Sequence, residues 1–334
     1  MKLKAQSSKL KAPTGAVLVL GGGIAGIQAS LDLAESGYYV YLIEEGPSIG
    51  GVMAQLDKTF PTNDCSLCIL SPKLVECGGH LNIETITYSE VIGLTGEPGN
   101  FTATIRKKPR YVDLEKCVGC GICAQKCPVK VDDTYNERLS KRRAIYVEYP
   151  QAVPLCYAID DKNCLMMTKG KCGGCKKLCK SEAIDYEAKE EIVEIEVGAC
   201  ILTPGLEKFK DSSYLRYDNV VSSIQFERIL SASGPFKGHV QRPSNSKEPK
   251  KIAFLQCVGS RNSSINHGYC SSVCCMYAIK EAIIAKEHAH HLEPTIFYMD
   301  IRAFGKGFEA YYERAKNEYG IEFIRSKVAQ IEED

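Results

Sequence analysis

Two cysteine runs limit most strongly what this chain can fold into. Cys117, Cys120, Cys123 and Cys127, followed by Pro128, give C-x2-C-x2-C-x3-C-P. Cys164, Cys172, Cys175 and Cys179 give C-x7-C-x2-C-x3-C. The first is the bacterial ferredoxin run, in which the fourth cysteine serves the other cluster. On that rule one [4Fe–4S] cluster takes Cys117, Cys120, Cys123 and Cys179. The other takes Cys164, Cys172, Cys175 and Cys127. Zinc is the competing reading, because four-cysteine zinc sites also use C-x2-C pairs. The double run with its Cys-Pro favours iron–sulfur, although the second half is looser around "DKNCLMMTKGKCGGC". The stretch between the halves is longer than a minimal ferredoxin needs. Its basic residues, 138–143, read as a solvated face, with partner docking as the alternative.

The ferredoxin run lies inside another module. "GAVLVLGGGIAGIQASLDLAESGYYVYLIEEG" reads as strand Ala16 to Leu20, a glycine turn, a helix from Ile27 to Ser36, and a second strand ending at Glu44 and Glu45. Gly21, Gly23 and Gly26 form G-x-G-x-x-G, which allows a tight turn, close approach to a pyrophosphate and tight helix packing. The helix N-terminus offers N–H groups to an anion, and Glu44 stands where a carboxylate accepts a ribose hydroxyl. Gly50 and Gly51 follow at once. An apolar strand from Val197 to Leu202 then runs into Thr203-Pro204-Gly205, like the closing strand of an FAD domain. The dinucleotide module therefore opens at residue 15, and the ferredoxin is inserted into it.

Seventeen cysteines in 334 residues also raise a disulfide framework. That fits poorly with a chain of this size beginning on a dinucleotide fold, and close C-x2-C spacing favours cluster ligation in a reducing, cytoplasmic setting. Forty-two basic residues against forty-one acidic, a net +1, argue against a nucleic-acid surface. No run approaches the ~20 apolar residues of a membrane span. "MKLKAQSSKLKAPTG" has no apolar core of a signal peptide and reads as a disordered lead over residues 1–14. Cys65, Cys68 and Cys77 leave three readings open: a redox dithiol beside the flavin, structural thiols, or part of a metal site. Cys156 and Cys200 read as buried spectators, and His80 as a surface or hydrogen-bonded residue.

After Gly205 a polar linker leads to a second α/β stretch. "KIAFLQ" reads as a strand, "YCSSVCCMYAIKEAIIAKEHA" as a helix, "EPTIFYMDIRAFG" as a strand, "GFEAYYERAKNEYG" as a helix and "IEFIR" as a strand. That order is a parallel Rossmann-like half. Its first turn carries Cys257 and no G-x-G-x-x-G, and the expected helix opens with Cys270, Cys274 and Cys275. On a helix Cys270 and Cys274 share a face, so a cluster at the helix start could reach all four thiols. Packed helical cysteines and a phosphate site are the competing readings.

These phrases together resemble the A-subunit family of heterodisulfide reductase, over almost the whole chain: "GGVMAQLDKTFPTNDCSLCILSPKLVE", "CVGCGICAQKCP", "QAVPLCYAID", "CGGCKKLCKSEAI" and "QCVGSR…YCSSVCCMYAIKEA". The resemblance implies FAD, a thioredoxin-reductase-like fold and a further [4Fe–4S] cluster in a Cys-x12-Cys-x3-Cys-Cys pattern. Here that pattern falls on Cys257, Cys270, Cys274 and Cys275. It also implies the partner subunits of a heterodisulfide-reductase-like complex, donor modules of hydrogenase, formate or NADH type, and ferredoxin. Some members bifurcate electrons. The sequence stops as a strand begins, where the family continues, so it reads as a C-terminally truncated member or one that a partner completes.

The expected architecture is α/β. A Rossmann-like FAD-binding domain of thioredoxin-reductase type occupies 15–108 and 186–240. A two-cluster ferredoxin is inserted at 109–185, and a partial second Rossmann-like domain occupies 249–334. The expected function is electron transfer that couples two-electron flavin chemistry to one-electron relay. The alternatives are a stand-alone FAD-dependent dithiol or NAD(P)H oxidoreductase using Cys65 and Cys68, and a truncated cluster-bearing subunit without turnover.

Overall fold

The computed structural model describes residues 14–209 and 213–333. All but the last residue of the expected 1–14 lead therefore lies outside the described residues. Two compact units emerge. The first comprises residues up to 52, 70–131 and 142–205; the second comprises 53–69, 132–141 and 206 onward. Residues 206–240, expected with the FAD domain, thus belong to the second unit.

In the first unit, β1 (Ala16–Leu20) is apolar throughout and buried at its centre. It leads into α1 (Ile24–Glu35) and β2 (Tyr39–Glu44). The helix begins three residues before the expected Ile27, because extended Gly23 serves as its N-cap and the Gly23 carbonyl accepts the Ile27 N–H at 2.9 Å. After α2 (Ser66–Gly79) come β3 (Ile83–Thr87) and a hairpin of β4 (Ser89–Glu97) and β5 (Asn100–Lys107). The cysteine-rich insertion holds α3 (Ile122–Lys126), β6 (Lys130–Asp132), β7 (Lys141–Arg143), β8 (Ile145–Tyr146), β9 (Ala158–Ile159), α4 (Leu165–Lys169) and α5 (Gly174–Leu178). The chain returns as β10 (Glu191–Val197) and β11 (Ala199–Leu202).

A parallel sheet runs β11-β1-β2-β3, and an antiparallel sheet runs β10-β5-β4. Leu18, Ile43, Ile86, Ala103, Ile105 and Val197 form the core between them. The sequence predicts one strand from Val197 to Leu202. The structure breaks it at Gly198, where the chain passes from one sheet to the other. The Gly198 N–H donates to the Ala16 carbonyl at 2.8 Å, and its own carbonyl accepts from Gly99 at 2.9 Å. A Cβ at Gly198 would overlap the Thr14 carbonyl oxygen, so only glycine fits this crossing. The pairings Leu20↔Leu202 and Leu20↔Ile43 then bring three strand ends to one edge, where open α/β sheets bind ligands.

The second unit is built on the parallel sheet of β12 (Lys251–Leu255), β13 (Glu293–Tyr298) and β14 (Glu322–Arg325), with α6 (Ser223–Leu230), α7 (Cys274–His288) and α8 (Phe308–Asn317). Ser222 and Gln225 cap α6 reciprocally, which satisfies two of its free N–H groups. Met276, Ile279 and Ile283 of α7 pack with Ile296, Tyr311 and Ile321. Helix α7 departs from the expected start. It begins at Cys274 and not near Tyr269, because Ser272 takes φ +63° and its N–H donates to the Cys270 sulfur at 3.4 Å. Cys270 therefore lies in the preceding turn and does not share a helical face with Cys274.

Charge is buried beneath α7. Lys280 pairs with Glu227, and both side chains are nearly inaccessible. The Lys280 ammonium also donates to the Lys58 carbonyl at 3.0 Å, and Glu227 accepts the Asp57 N–H at 2.9 Å. Glu281 accepts from Ser223 Oγ at 2.7 Å. Burial, then the neighbouring Glu227, hold the Glu281 carboxyl well above the ordinary 4.5, despite Lys280. Ionising it therefore opposes folding. The resulting stability cost is absent below about pH 4.5 and grows as pH rises toward the folded-state value. Glu281→Gln should match the unaltered protein at the acid end and exceed it increasingly toward neutral pH, measured as the urea midpoint of the second unit. A constant difference at all pH would contradict this.

Candidate functional site: a dinucleotide cradle and three groups of thiols

The carboxyl edge of the first parallel sheet forms a cradle. Gly21 has φ +106°, and a Cβ there would run into the Thr203 carbonyl. A Cβ at Gly26 would strike the Gly21 carbonyl oxygen and lie 2.8 Å from Thr203 Oγ1. The Thr203 hydroxyl donates to the Leu20 carbonyl at 2.7 Å, tying β11 to the glycine turn. Gly50 donates its N–H to the Gly22 carbonyl at 2.7 Å, and a Cβ on Gly51 would come 2.9 Å from Gly23 Cα. Gly23 and Gly205 face open space. Backbone can therefore approach a pyrophosphate at the start of α1. Glu44 accepts from the Gly22 and Gly46 N–H groups, each at 2.7 Å. Glu45 turns outward to Lys108, at 3.3 Å. The cradle fits FAD: glycine walls, a helix N-terminus and one inward carboxylate.

Sequence reasoning missed a second carboxyl at this edge. Glu148, from the insertion, accepts from Ser48 Oγ at 2.6 Å. Burial, then the neighbouring Glu44, raise its affinity for a proton, against the Ser48 hydrogen bond and the Arg110 and Arg142 charges. Nearby, the Tyr149 hydroxyl donates to the Ile49 carbonyl, and the Ile49 N–H donates to the Val153 carbonyl at 2.9 Å. Buried Arg110 binds the Pro47 carbonyl at 2.6 Å and Thr87 Oγ1 at 2.7 Å. The only sequence signal for these contacts was the extra length between the two cysteine runs.

The insertion is a pseudo-repeat. Asp113 and Asp160 each accept, through the backbone carbonyl, the N–H of the cysteine four residues on: Cys117 at 3.0 Å and Cys164 at 2.9 Å. Left-handed Gly121 and Gly173 open α3 and α5, and extended Cys127 and Cys179 close them. Cys127, Cys164, Cys172 and Cys175 line one recess with Pro128, Ile145, Ile159 and Tyr186. These are the four thiols expected on one cluster. Tyr186 Oη lies 2.9 Å from the Cys175 sulfur. Burial pushes the Cys123 thiol up to about 12, with Cys117 and Cys120 near enough to add to the effect. Cys179 instead contacts Ser181 Oγ at 3.5 Å and the Ala183 N–H at 3.4 Å, and its thiol is lowered by those bonds against burial. Cys156, expected as a spectator, is buried beside Cys117 in this core. Among the described residues no three Cys, His, Asp or Glu side chains converge as one bound metal ion requires. Soft thiols on an apolar-backed recess suit an iron–sulfur cube.

In the second unit Cys257, Cys274 and Cys275 are buried at the end of β12 and the start of α7. Cys257 takes φ +58°. Its thiol is raised by burial and by Cys274, with Cys270 also close and Arg261 opposing. A hydrogen bond from Cys275 helps hold the Cys274 thiol down to about 6. Arg261 is fixed by Asp300 at 2.8 Å. Cys65 immediately precedes α2 and Cys68 lies in its first turn, and the Cys68 N–H donates to the Cys65 sulfur at 3.2 Å. A side-chain hydrogen bond with Cys65 raises the Cys68 thiol, which leaves less thiolate for dithiol chemistry. Cys77 is fully buried, and burial pushes it up to about 11. His80 Nδ1 accepts the Asn82 N–H at 3.1 Å.

Residues 16–64 match the family described as FAD dependent oxidoreductase, and residues 110–131 match the 4Fe-4S binding domain. These matches support FAD and iron–sulfur clusters as cofactors. The chain is 49% identical over 322 residues to the iron-sulfur A-subunit of the CoB–CoM heterodisulfide reductase of Methanocaldococcus jannaschii, covering 95% of this chain and 48% of that one. It is 52% identical over 326 residues to one of the corresponding A-subunits of Methanopyrus kandleri, covering 96% and 49%. The chain thus spans about half the length of the curated relatives it matches. Among solved structures, reduced Bacillus anthracis CoADR-RHD aligns over 97% of this chain and 40% of its own, at 11% identity and a TM-score of 0.38. No helix among the described residues is long and apolar enough to cross a membrane.

Gly26→Ala should cut FAD affinity by about tenfold or more, since the added carbon displaces the turn that faces the pyrophosphate. Flavin retained after gel filtration is the readout. The iron absorbance of the insertion should persist.

Proposed function

We propose that this chain, which is 47–52% identical over about half their length to A-subunits of heterodisulfide reductases, is the electron-relaying flavoprotein part of a heterodisulfide-reductase-like complex. One observation carries this reading. The dinucleotide cradle and the cysteine-bearing parts of the insertion, residues up to 131 and from 142 on, fold as a single compact unit, joined where Glu148, Tyr149 and Val153 meet Ser48 and Ile49.

Bound FAD exchanges electrons in pairs, and thiolate-held clusters exchange them singly. Gly21, Gly23, Gly26, Gly50, Gly51 and Gly205 admit the dinucleotide, and Glu44 orients its ribose. Cys117, Cys120, Cys123 and Cys179 hold one [4Fe–4S] cluster, and Cys127, Cys164, Cys172 and Cys175 a second. Cys257, Cys270, Cys274 and Cys275 hold a third. Arg261, fixed by Asp300, places positive charge beside that third group of thiolates. The partners are the other subunits of such a complex and an electron-donor module, in the cytoplasm. One relative, from Methanothermobacter marburgensis, is named for an H(2):CoB-CoM heterodisulfide,ferredoxin reductase, which sets the class of donor and acceptor to try first.

The test is anaerobic mixing with reduced methyl viologen, a one-electron donor, while flavin bleaching is followed. The double variant Cys117→Ser with Cys175→Ser removes one ligand from each insert cluster. It should slow bleaching by about tenfold or more, roughly 1.4 kcal/mol of barrier, at unchanged flavin content. An unchanged rate would remove the insertion from the route.

A further inference from the structure

Arg110 stands at the start of the insertion and is only 7% exposed. Its Nη2 donates to the Pro47 carbonyl at 2.6 Å and to Thr87 Oγ1 at 2.7 Å, and its Nη1 donates to the Cys156 carbonyl at 3.5 Å. The centre of the Tyr88 ring lies 5.6 Å away. All of these partners are neutral groups. Among the described residues no carboxylate forms an ion pair with Arg110. Arg142, in the same unit, is paired with Asp160 at 3.1 Å. Glu148 feels the Arg110 charge, but burial and Glu44 favour its protonated form. Burial disfavours the charged form of Arg110, against the pull of Cys156, Tyr88, Tyr146 and Cys117. A guanidinium nevertheless stays protonated in proteins.

Burial without an ion pair does not by itself assign a role. Arg228, in the second unit, is also buried, and it meets only Asn136, the Gln55 carbonyl, Ser233 and the Tyr135 ring. Arg110 differs in what it faces. The Asp113 carbonyl accepts the Cys117 N–H at 3.0 Å and lies 3.9 Å from the Cys156 sulfur. Cys156 belongs to neither cysteine run, and it is buried beside Cys117. The guanidinium therefore reaches the backbone of the residue packed behind a proposed cluster ligand. A cluster that accepts one electron gains one negative charge, and no bond forms or breaks. Net charge is among the quantities that set a cluster's potential. A positive charge in a buried setting acts on it with little screening by water or salt.

We propose that the Arg110 guanidinium, buried beside Cys156 and Cys117, raises the reduction potential of the cluster held by Cys117, Cys120, Cys123 and Cys179. The proposal rests on reading these thiols as cluster ligands. Arg110 does not touch the reacting electron's carrier directly. It is an electrostatic neighbour that favours the reduced state.

The experiment is a mediated redox titration of the anaerobically reconstituted whole chain, followed by EPR. Arg110→Gln keeps a hydrogen-bond donor and removes the charge. It should make reduction of one insert cluster about tenfold less favourable, a fall of about 59 mV for one electron. The midpoint that moves should be the one altered by Cys120→Ser. Arg110→Lys keeps the charge and should restore the potential. Thr87→Asp leaves Arg110 in place and gives it a carboxylate partner, so it should lower the same midpoint even where Arg110→Gln fails to load iron. These shifts should be equal at low and high salt. A midpoint that ignores both Arg110→Gln and Thr87→Asp would overturn the proposal. So would an equal fall in Arg110→Lys, or a shift that salt erases. Iron analysis of the unaltered chain separates this idea from the reading beneath it. If the insert clusters are absent, the reading of the thiols fails and the role of Arg110 with it. If they are present and their potentials are indifferent to the Arg110 charge, the role of Arg110 alone is overturned.

Discussion

The attachment of the insertion to the flavin cradle is the constraint on which the first unit depends. A ferredoxin hung from two flexible linkers could carry clusters and still exchange electrons poorly. Here the segment following β8 is held to the loop following β2. The Ile49 amide and carbonyl are taken by Val153 and Tyr149, and Ser48 is taken by Glu148. Arg110, at the start of the insertion, reaches the Pro47 carbonyl. These are buried polar groups, and each must find a partner in the fold or cost stability. They find each other, which fixes the two modules in register.

Gly198 has a comparable role in the scaffold. The chain leaves the insertion through an antiparallel strand and must enter the parallel sheet beside β1 within one residue. Without a side chain at that point, β11 can lie against β1 with Thr203 at the glycine turn. The cradle is therefore closed by residues about 180 positions away from its opening strand.

Features carried by local spacing were legible in the sequence. The glycine fingerprint, Glu44 and the two cysteine runs set the expectations for the site, and one recess is lined by Cys127 with Cys164, Cys172 and Cys175, the set that the exchanged-ligand rule groups together. Contacts made across about a hundred residues left no local trace. Glu148 reads as one acid among many until Ser48 is placed beside it. The antiparallel sheet of β4, β5 and β10 was unseen because its strands alternate weakly and lie on both sides of the insertion. Cys270 reads as helical because the i, i+4 spacing to Cys274 continues the period of α7 backward. The left-handed Ser272 ends that period, and no propensity announces such a residue. In the second unit, the buried Glu227, Lys280 and Glu281 were also invisible, since charged residues on a helix ordinarily face solvent.

The central claim is that one chain assembles flavin and thiolate-held clusters for stepwise electron transfer. Metal and flavin analysis of anaerobically reconstituted protein, with EPR on reduction, tests it most directly. The account predicts about twelve iron atoms per FAD, four for each cluster, with spin-coupled [4Fe–4S] signals from the two insert sites. Zinc in place of iron, or fewer than about eight irons per chain with no coupled signal, would contradict it.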